Sequence, residues 1–158
     1  MGTKAEQLAS KFEQTAKDFE SKIKTLSDSE WRANTPEEGR TVAACAHHAA
    51  ASAAPLSMMV QAAATGGAMP SITQQGLDQM NAEHAKQFAN VSKEETLKLL
   101  NETTPQAAKV VRGLSDEQLA RKATLPFGME MSAEQIIENV LIGHIQGHGA
   151  SIAAAVPA

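Results

Sequence analysis

The sequence predicts an all-α protein, a four-helix bundle, from three observations. Hydrophobic residues make up 42% of the chain, with no Tyr, one Trp and four Phe, so small aliphatics dominate, above all Ala, the best helix former. Apolar residues recur at steps of three and four through long segments, and no strand-like alternation of any length interrupts them. The connections between those segments carry Pro and Gly and are poor helix material. A length of 158 residues fits one domain, 1–158, and is enough to bury a real core.

The first helix is expected from about Thr3 to Leu26. Leu8, Phe12, Ala16, Phe19, Ile23 and Leu26 fall in one narrow stripe at about 100° per residue, with Lys and Glu filling the rest. Asp28 to Ala33 adds a short turn with Trp31, and Thr35-Pro36-Glu37-Glu38-Gly39 reads as a loop. Thr41 is a fitting N-cap for a second helix running to about Ala64. Pro55 lies inside it and is expected to kink it, because the ring removes a backbone hydrogen bond.

A third segment, about Ile72 to Ala89, puts Leu77, Met80, His84 and Phe88 on one face. Ser92 with Glu95 has the spacing of a capping box and opens a further stretch through Leu97, Leu100, Ala108, Val111 and Leu114, with a second kink expected at Pro105. Pattern alone leaves open whether these two pieces are one bent helix or two. Leu114 to Leu119 has the form of a short capped turn. The loop Leu125-Pro126-Phe127-Gly128 follows, and Ser132 with Gln135 starts the last helix, Ala133 to about Ala154.

The formal charge is −4 and no basic block occurs, so no nucleic-acid partner is expected. The Ala-rich run from Thr41 to Gly66 holds two His and a Pro and falls short of a membrane span. The N-terminal segment is charged and lacks an apolar signal core, so the expectation is a soluble, cytoplasmic protein with no membrane partner. A single Cys45 excludes an internal disulfide.

The chemistry is expected from the five histidines. His144 and His148 stand four residues apart, on one side of a helix, in the middle of the apolar arc of Ile136, Ile137, Val140, Leu141 and Ile152. Two imidazoles turned into a core need partners. A shared divalent metal ion satisfies both, and zinc, then nickel, suits neutral imidazole; two core histidines bonded to other protein groups is the alternative. A third ligand should come from another helix. His48 flanks the stripe of Val42, Cys45, Leu56 and Met59, whereas His47 points nearly opposite and is expected at the surface. His84 lies on an apolar face and Cys45 one turn before His48, so either could join the site; a buried Cys is more often a small hydrophobe. Ile145 removes the His-Glu-x-x-His protease pattern, no Glu stands three residues before any His as di-iron bundles require, and one Cys excludes a zinc ribbon. Neither an acid nor a cationic clamp beside the triad can be picked out by pattern, so the catalytic residues are left unassigned.

The run Pro36-Glu37-Glu38-Gly39-Arg40-Thr41-Val42, with His48 seven residues after Thr41, and the closing His144-x-x-x-His148 resemble the DinB-like family of metalloenzymes, related to the thiol-dependent maleylpyruvate isomerases. The hairpin-like stretch Pro126 to Ser132 and the turn Leu114 to Leu119 extend the likeness over nearly the whole chain; Arg40 departs from it, standing where many relatives carry Trp. The resemblance implies an up-down-down-up bundle, a three-His metal site of His48, His144 and His148, and a homodimer. It supplies no single reaction. The leading expectation is therefore a metal-dependent enzyme acting on a small-molecule substrate, by hydrolysis or by transfer of a low-molecular-weight thiol. A non-catalytic metal- or ligand-binding stress-response module is the alternative, and a helical interaction protein with incidental histidines a third reading.

Overall fold

The computed structural model describes residues 3–156. Four long helical stretches make the bundle: α1 (Thr3–Thr25), α3 (Val42–Thr65), α5 (Lys93–Arg112), and a final run of α7 (Ala133–Ile136), a π-helical segment (Ile137–Ile142) and α8 (Gly143–Ala155). Shorter pieces connect them: α2 (Asp28–Arg32), α4 (Gln74–Gln87), α6 (Asp116–Ala120), and strands β1 (Lys122–Thr124) and β2 (Glu130–Ser132).

The stripe read in α1 is its buried face: Leu8, Phe12, Ala16, Phe19 and Ile23 are all inside, with Ala5 and Ala9. Side-chain hydroxyls start the helices where the sequence places them. Thr41 accepts from Ala44 N–H, Ser92 from Glu95 N–H, and Ser115 and Ser132 each complete a reciprocal capping box with a Gln. Helices α3 and α5 both run unbroken past Pro55 and Pro105, so neither proline ends its helix. The α4 and α5 segments are two helices separated at Phe88–Ser92.

The contacts fix the directions. Trp31 Nε1–H donates to the Val91 carbonyl at 2.8 Å and Thr41 Oγ1–H to that of Ala89 at 2.8 Å, which puts the start of α5 beside the start of α3; Thr103 on α5 bonds Ala50 on α3 midway along, at 2.9 Å. The two helices are therefore parallel. Lys93 at the start of α5 donates to the Leu26 carbonyl just past α1, so α1 runs against them. Lys4 pairs with Glu134 at 3.4 Å and Lys22 reaches the Gly149 carbonyl at 3.4 Å, so the last helix is parallel to α1. The order is up-down-down-up, and α4 spans the long crossover from the end of α3 back to the start of α5.

Two local features depart from expectation. Lys122–Thr124 pairs antiparallel with Glu130–Ser132, a ladder of three residues a side, too short for any alternation to show in sequence. The last helix widens to i→i+5 bonding over Ile137–Ile142, immediately before His144. No helix among the described residues is long and apolar enough to cross a membrane.

Candidate metal centre

Three helix positions bring three imidazoles to one point. His48 on α3 and His144 and His148 on α8 present ligand atoms that all lie within 4.8 Å of one another. The Nε2 atoms of His48 and His144 are 3.1 Å apart, and those of His144 and His148 also 3.1 Å. Nitrogens held about 2.0–2.1 Å from one tetrahedral zinc ion would be about 3.3 Å apart, so the set has the right dimensions.

Proton bookkeeping supports a cation over a plain hydrogen-bonded cluster. His148 Nδ1 lies 2.8 Å from Glu38 Oε2, and an ionised carboxylate only accepts, so Nδ1 carries the hydrogen and Nε2 of His148 holds a lone pair. If His144 Nε2 also holds a lone pair, it opposes that of His148. If it carries a hydrogen, it serves one neighbour well and leaves the other unserved. No assignment of tautomers gives both 3.1 Å contacts a linear hydrogen bond. A shared cation receiving three lone pairs would instead satisfy all three Nε2 atoms at once. His144 Nδ1 is buried without a partner, so nothing else fixes that ring's tautomer.

His48 and His144 are also held neutral, as a ligand must be. Burial, then the neighbouring His144 and Arg40, push His48 down to about 3. Burial, then His148 and Arg40, take His144 to about 4.

Glu38, in the loop before α3, is the acid that pattern could not place. Burial alone would raise its pKa, but the Ser151 hydroxyl, His148 and Arg40 bring it to about 2. Arg40 grips its other oxygen, with Nε–H donating to Oε1 at 2.9 Å and Nη2 at 2.8 Å from it. The Cys45 thiol, buried, donates to Glu38 Oε2 at 3.4 Å and lies 3.6 Å from His148 Nδ1. Burial, reinforced by the Glu38 charge, pushes that thiol far above its ordinary range and keeps it protonated. The residues Glu83, Glu130 and Glu138 are exposed.

His47 corrects its expected place. It is 7% exposed, stacks on Phe88 with ring centroids 3.9 Å apart, and has Nδ1 2.9 Å from His84 Nε2. The reason is α3 itself: Val42 to His47 are all buried, so the helix has no solvent face there to receive it. The ring of His84 stands edge-on to His48 at 5.4 Å, which places His84 beside the triad, though outside the three-ligand set.

An up-down-down-up bundle closing three histidines on one point defines a class of helical-bundle proteins with a candidate metal centre. The sequence profile of the DinB superfamily matches residues 11–152, and the chain belongs to that superfamily. No curated protein matches the sequence. Among solved structures the fold is similar to mycothiol-dependent maleylpyruvate isomerase, with TM-score 0.75 and 15% identity over 99% of this chain and 65% of that one. A mutant form of that isomerase gives TM-score 0.74 and 13% identity over 96% and 63%. The chain thus spans slightly less than two thirds of the isomerase's length. YfiT from Bacillus subtilis, described as a probable metal-dependent hydrolase with an unusual four-helix bundle topology, gives TM-score 0.73 and 19% identity over 98% of this chain and 86% of YfiT. At these identities the likeness establishes the fold.

Proposed function

We propose that the protein is a metal-dependent enzyme acting on a small molecule, with one divalent ion, zinc before nickel, held by His48, His144 and His148. The observation that carries this is the convergence of three Nε2 atoms whose protons cannot satisfy both 3.1 Å contacts. The metal dependence described for YfiT and the thiol dependence of the isomerase fit the same site. Three protein ligands leave coordination positions open. The ion, when bound, supplies Lewis acidity and activates a water or a thiol as a nucleophile near neutral pH. The chain's own residues hold His48 and His144 in their neutral forms, set a hydrogen bond between His148 Nδ1 and Glu38, and place the Arg40 charge beside the site. His84 Nδ1, buried without a partner, is free to bond a polar substrate group. Hydrolysis and low-molecular-weight thiol transfer both suit this arrangement, and a homodimer is part of the reading.

Elemental analysis of tag-free protein tests it. Wild type carries about one ion per chain and the His144→Ala/His148→Ala double variant none. No metal in either, after reconstitution with zinc, nickel, manganese and iron, defeats it. Cobalt-substituted protein then separates the chemistries: a spectrum that shifts with a low-molecular-weight thiol supports thiol transfer, and one unchanged by several thiols removes it.

One observation favours the non-catalytic alternative. Both oxygens of Glu38, the acid beside the triad, are engaged, by Arg40 and by His148. A bound ion with no exchangeable water would decide for a binding module.

A further inference from the structure

Glu38 is 110 positions from His148 in sequence, yet its Oε2 lies 2.8 Å from His148 Nδ1. Its loop is closed on itself. Thr35 N–H and Thr35 Oγ1–H both donate to the Arg40 carbonyl at 2.8 Å, Gly39 N–H donates to Thr35 O at 2.9 Å, and Val42 N–H to Ala33 O at 2.8 Å. Gly39 sits at φ +70°, a left-handed conformation that glycine adopts freely, and this turns the chain between Glu38 and Arg40. The two side chains therefore leave adjacent points of a pinned loop and meet at Glu38 Oε1, which leaves Oε2 aimed at His148 Nδ1. Side-chain exposures of 15% for Glu38, 12% for Arg40 and 13% for His148 put the chain of contacts where water competes little.

We propose that Glu38, held by Arg40, is the positioning residue of the metal centre: it locks His148 as the Nδ1–H tautomer and turns its Nε2 lone pair toward the ion. A ligating imidazole whose other nitrogen donates to a carboxylate is a better-oriented and more basic ligand. The inference rests on the three-histidine reading above. A rival use of the same atoms exists, because Glu38, Cys45 and His148 also bring ligand atoms within 4.8 Å of one another. The contacts favour positioning over a second ion. The Cys45 thiol donates to Glu38 Oε2 at 3.4 Å, Arg40 already pairs with the carboxylate at 2.8 Å, and the 2.8 Å separation of Nδ1 and Oε2 is that of a hydrogen bond.

The test strips the full-length protein with chelator and titrates it with cobalt and with zinc against a competing chelator of known affinity. Glu38→Ala should bind about 10–100-fold more weakly than wild type. Glu38→Gln, which keeps the size and an acceptor but loses the charge, should fall between them and change the cobalt ligand-field spectrum while the metal-free melting temperature stays near wild type. That pairing separates positioning from a structural role, and the Gln variant carries the test if Glu38→Ala does not fold. Wild-type affinity and spectrum in both variants would overturn the proposal. So would two ions per wild-type chain with a sulfur-to-cobalt charge-transfer band lost in Cys45→Ala, since Glu38 would then be a ligand. A wild type that binds no ion fails at the earlier step, before any variant is compared.

Discussion

The last helix and α4 both bring histidine against α3, but on different footings. The run from Ala133 to Ala155 buries Ala133, Ile136, Ile137, Leu141, Ile142, Ile145 and Ile152 and is wedged between α1 and α3. Helix α4 buries none of its side chains, and its Met80 is 59% exposed. The candidate ligands His144 and His148 stand on the deeply packed helix, while His84 stands on the shallow one. Ligand geometry must hold to a fraction of an ångström, and packing supplies that on one side only. On the α4 side, His84 instead meets His47 and Phe88 in a ring cluster that closes by stacking and one hydrogen bond.

The contrast breaks first, if it breaks, on stability. Ile136, fully buried, leaves a cavity when cut back, and Ile136→Ala should cost about 2–5 kcal/mol. Met80→Ala should stay within about 0.5 kcal/mol. Urea unfolding of the metal-free chain measures both, and similar losses would mean that α4 is packed as firmly as the last helix.

Metal affinity comes next. His148→Ala removes a ligand and should weaken binding by more than about 100-fold, beyond the loss of an outer partner. His84→Ala should change it only a few-fold, because its ring touches His48 at the edge rather than sharing the nitrogen cluster. Competition titration reads both. Equal losses would make His84 a fourth ligand.

Binding should then reinforce the stable side. Ion at about 100 times its Kd adds about 2.7 kcal/mol, on the order of 5–10 °C in Tm for a chain of this size. Hydrogen exchange should slow in α3 and α8, which hold the three imidazoles, and change little in α4. Slowing in α3 and α4 without α8 would place the ion at the His47–His84 pair.

How much of this was legible in the sequence follows the same division. The stripe of α1 and the hydroxyl caps at Thr41, Ser92, Ser115 and Ser132 are local, so residue order displays them. The choice of His48 over His47 was readable because Cys45 and Val42 set a direction on α3. The burial of His47 was not, since the Ala-rich first turns of α3, buried from Val42 to His47, carry no polar face to contradict. Leu77, Met80, His84 and Phe88 share a face by periodicity, yet that face is only half covered, with Met80 left exposed; periodicity reports which residues lie together, and only the tertiary fold says what covers them. The contacts of Glu38 with Arg40 and His148 were invisible for a related reason. Nothing near position 38 distinguishes this carboxylate from Glu37 until the fold brings residue 148 to it. The π-helical segment before His144 has no composition signal of its own, whereas it shifts the register that aims both ligands.

The smallest effect sharpens the comparison most, because it separates two adjacent residues of one helix. His47 and His48 are neighbours on α3, and only His48 points at the nitrogen cluster. His47→Ala should leave metal content at the wild-type ratio and cost stability instead, through the lost stacking on Phe88 and the bond to His84. The hydrogen-bond part is about 1 kcal/mol, and the stacking adds about 0.5–1.5 kcal/mol. A double-mutant cycle with His84→Ala isolates the pair: a coupling near 1 kcal/mol in the metal-free protein, unchanged by added ion, means the two clusters share a helix but act separately. Coupling that grows when the ion binds would join them, and His84 would then feel the metal through His47 and His48 together.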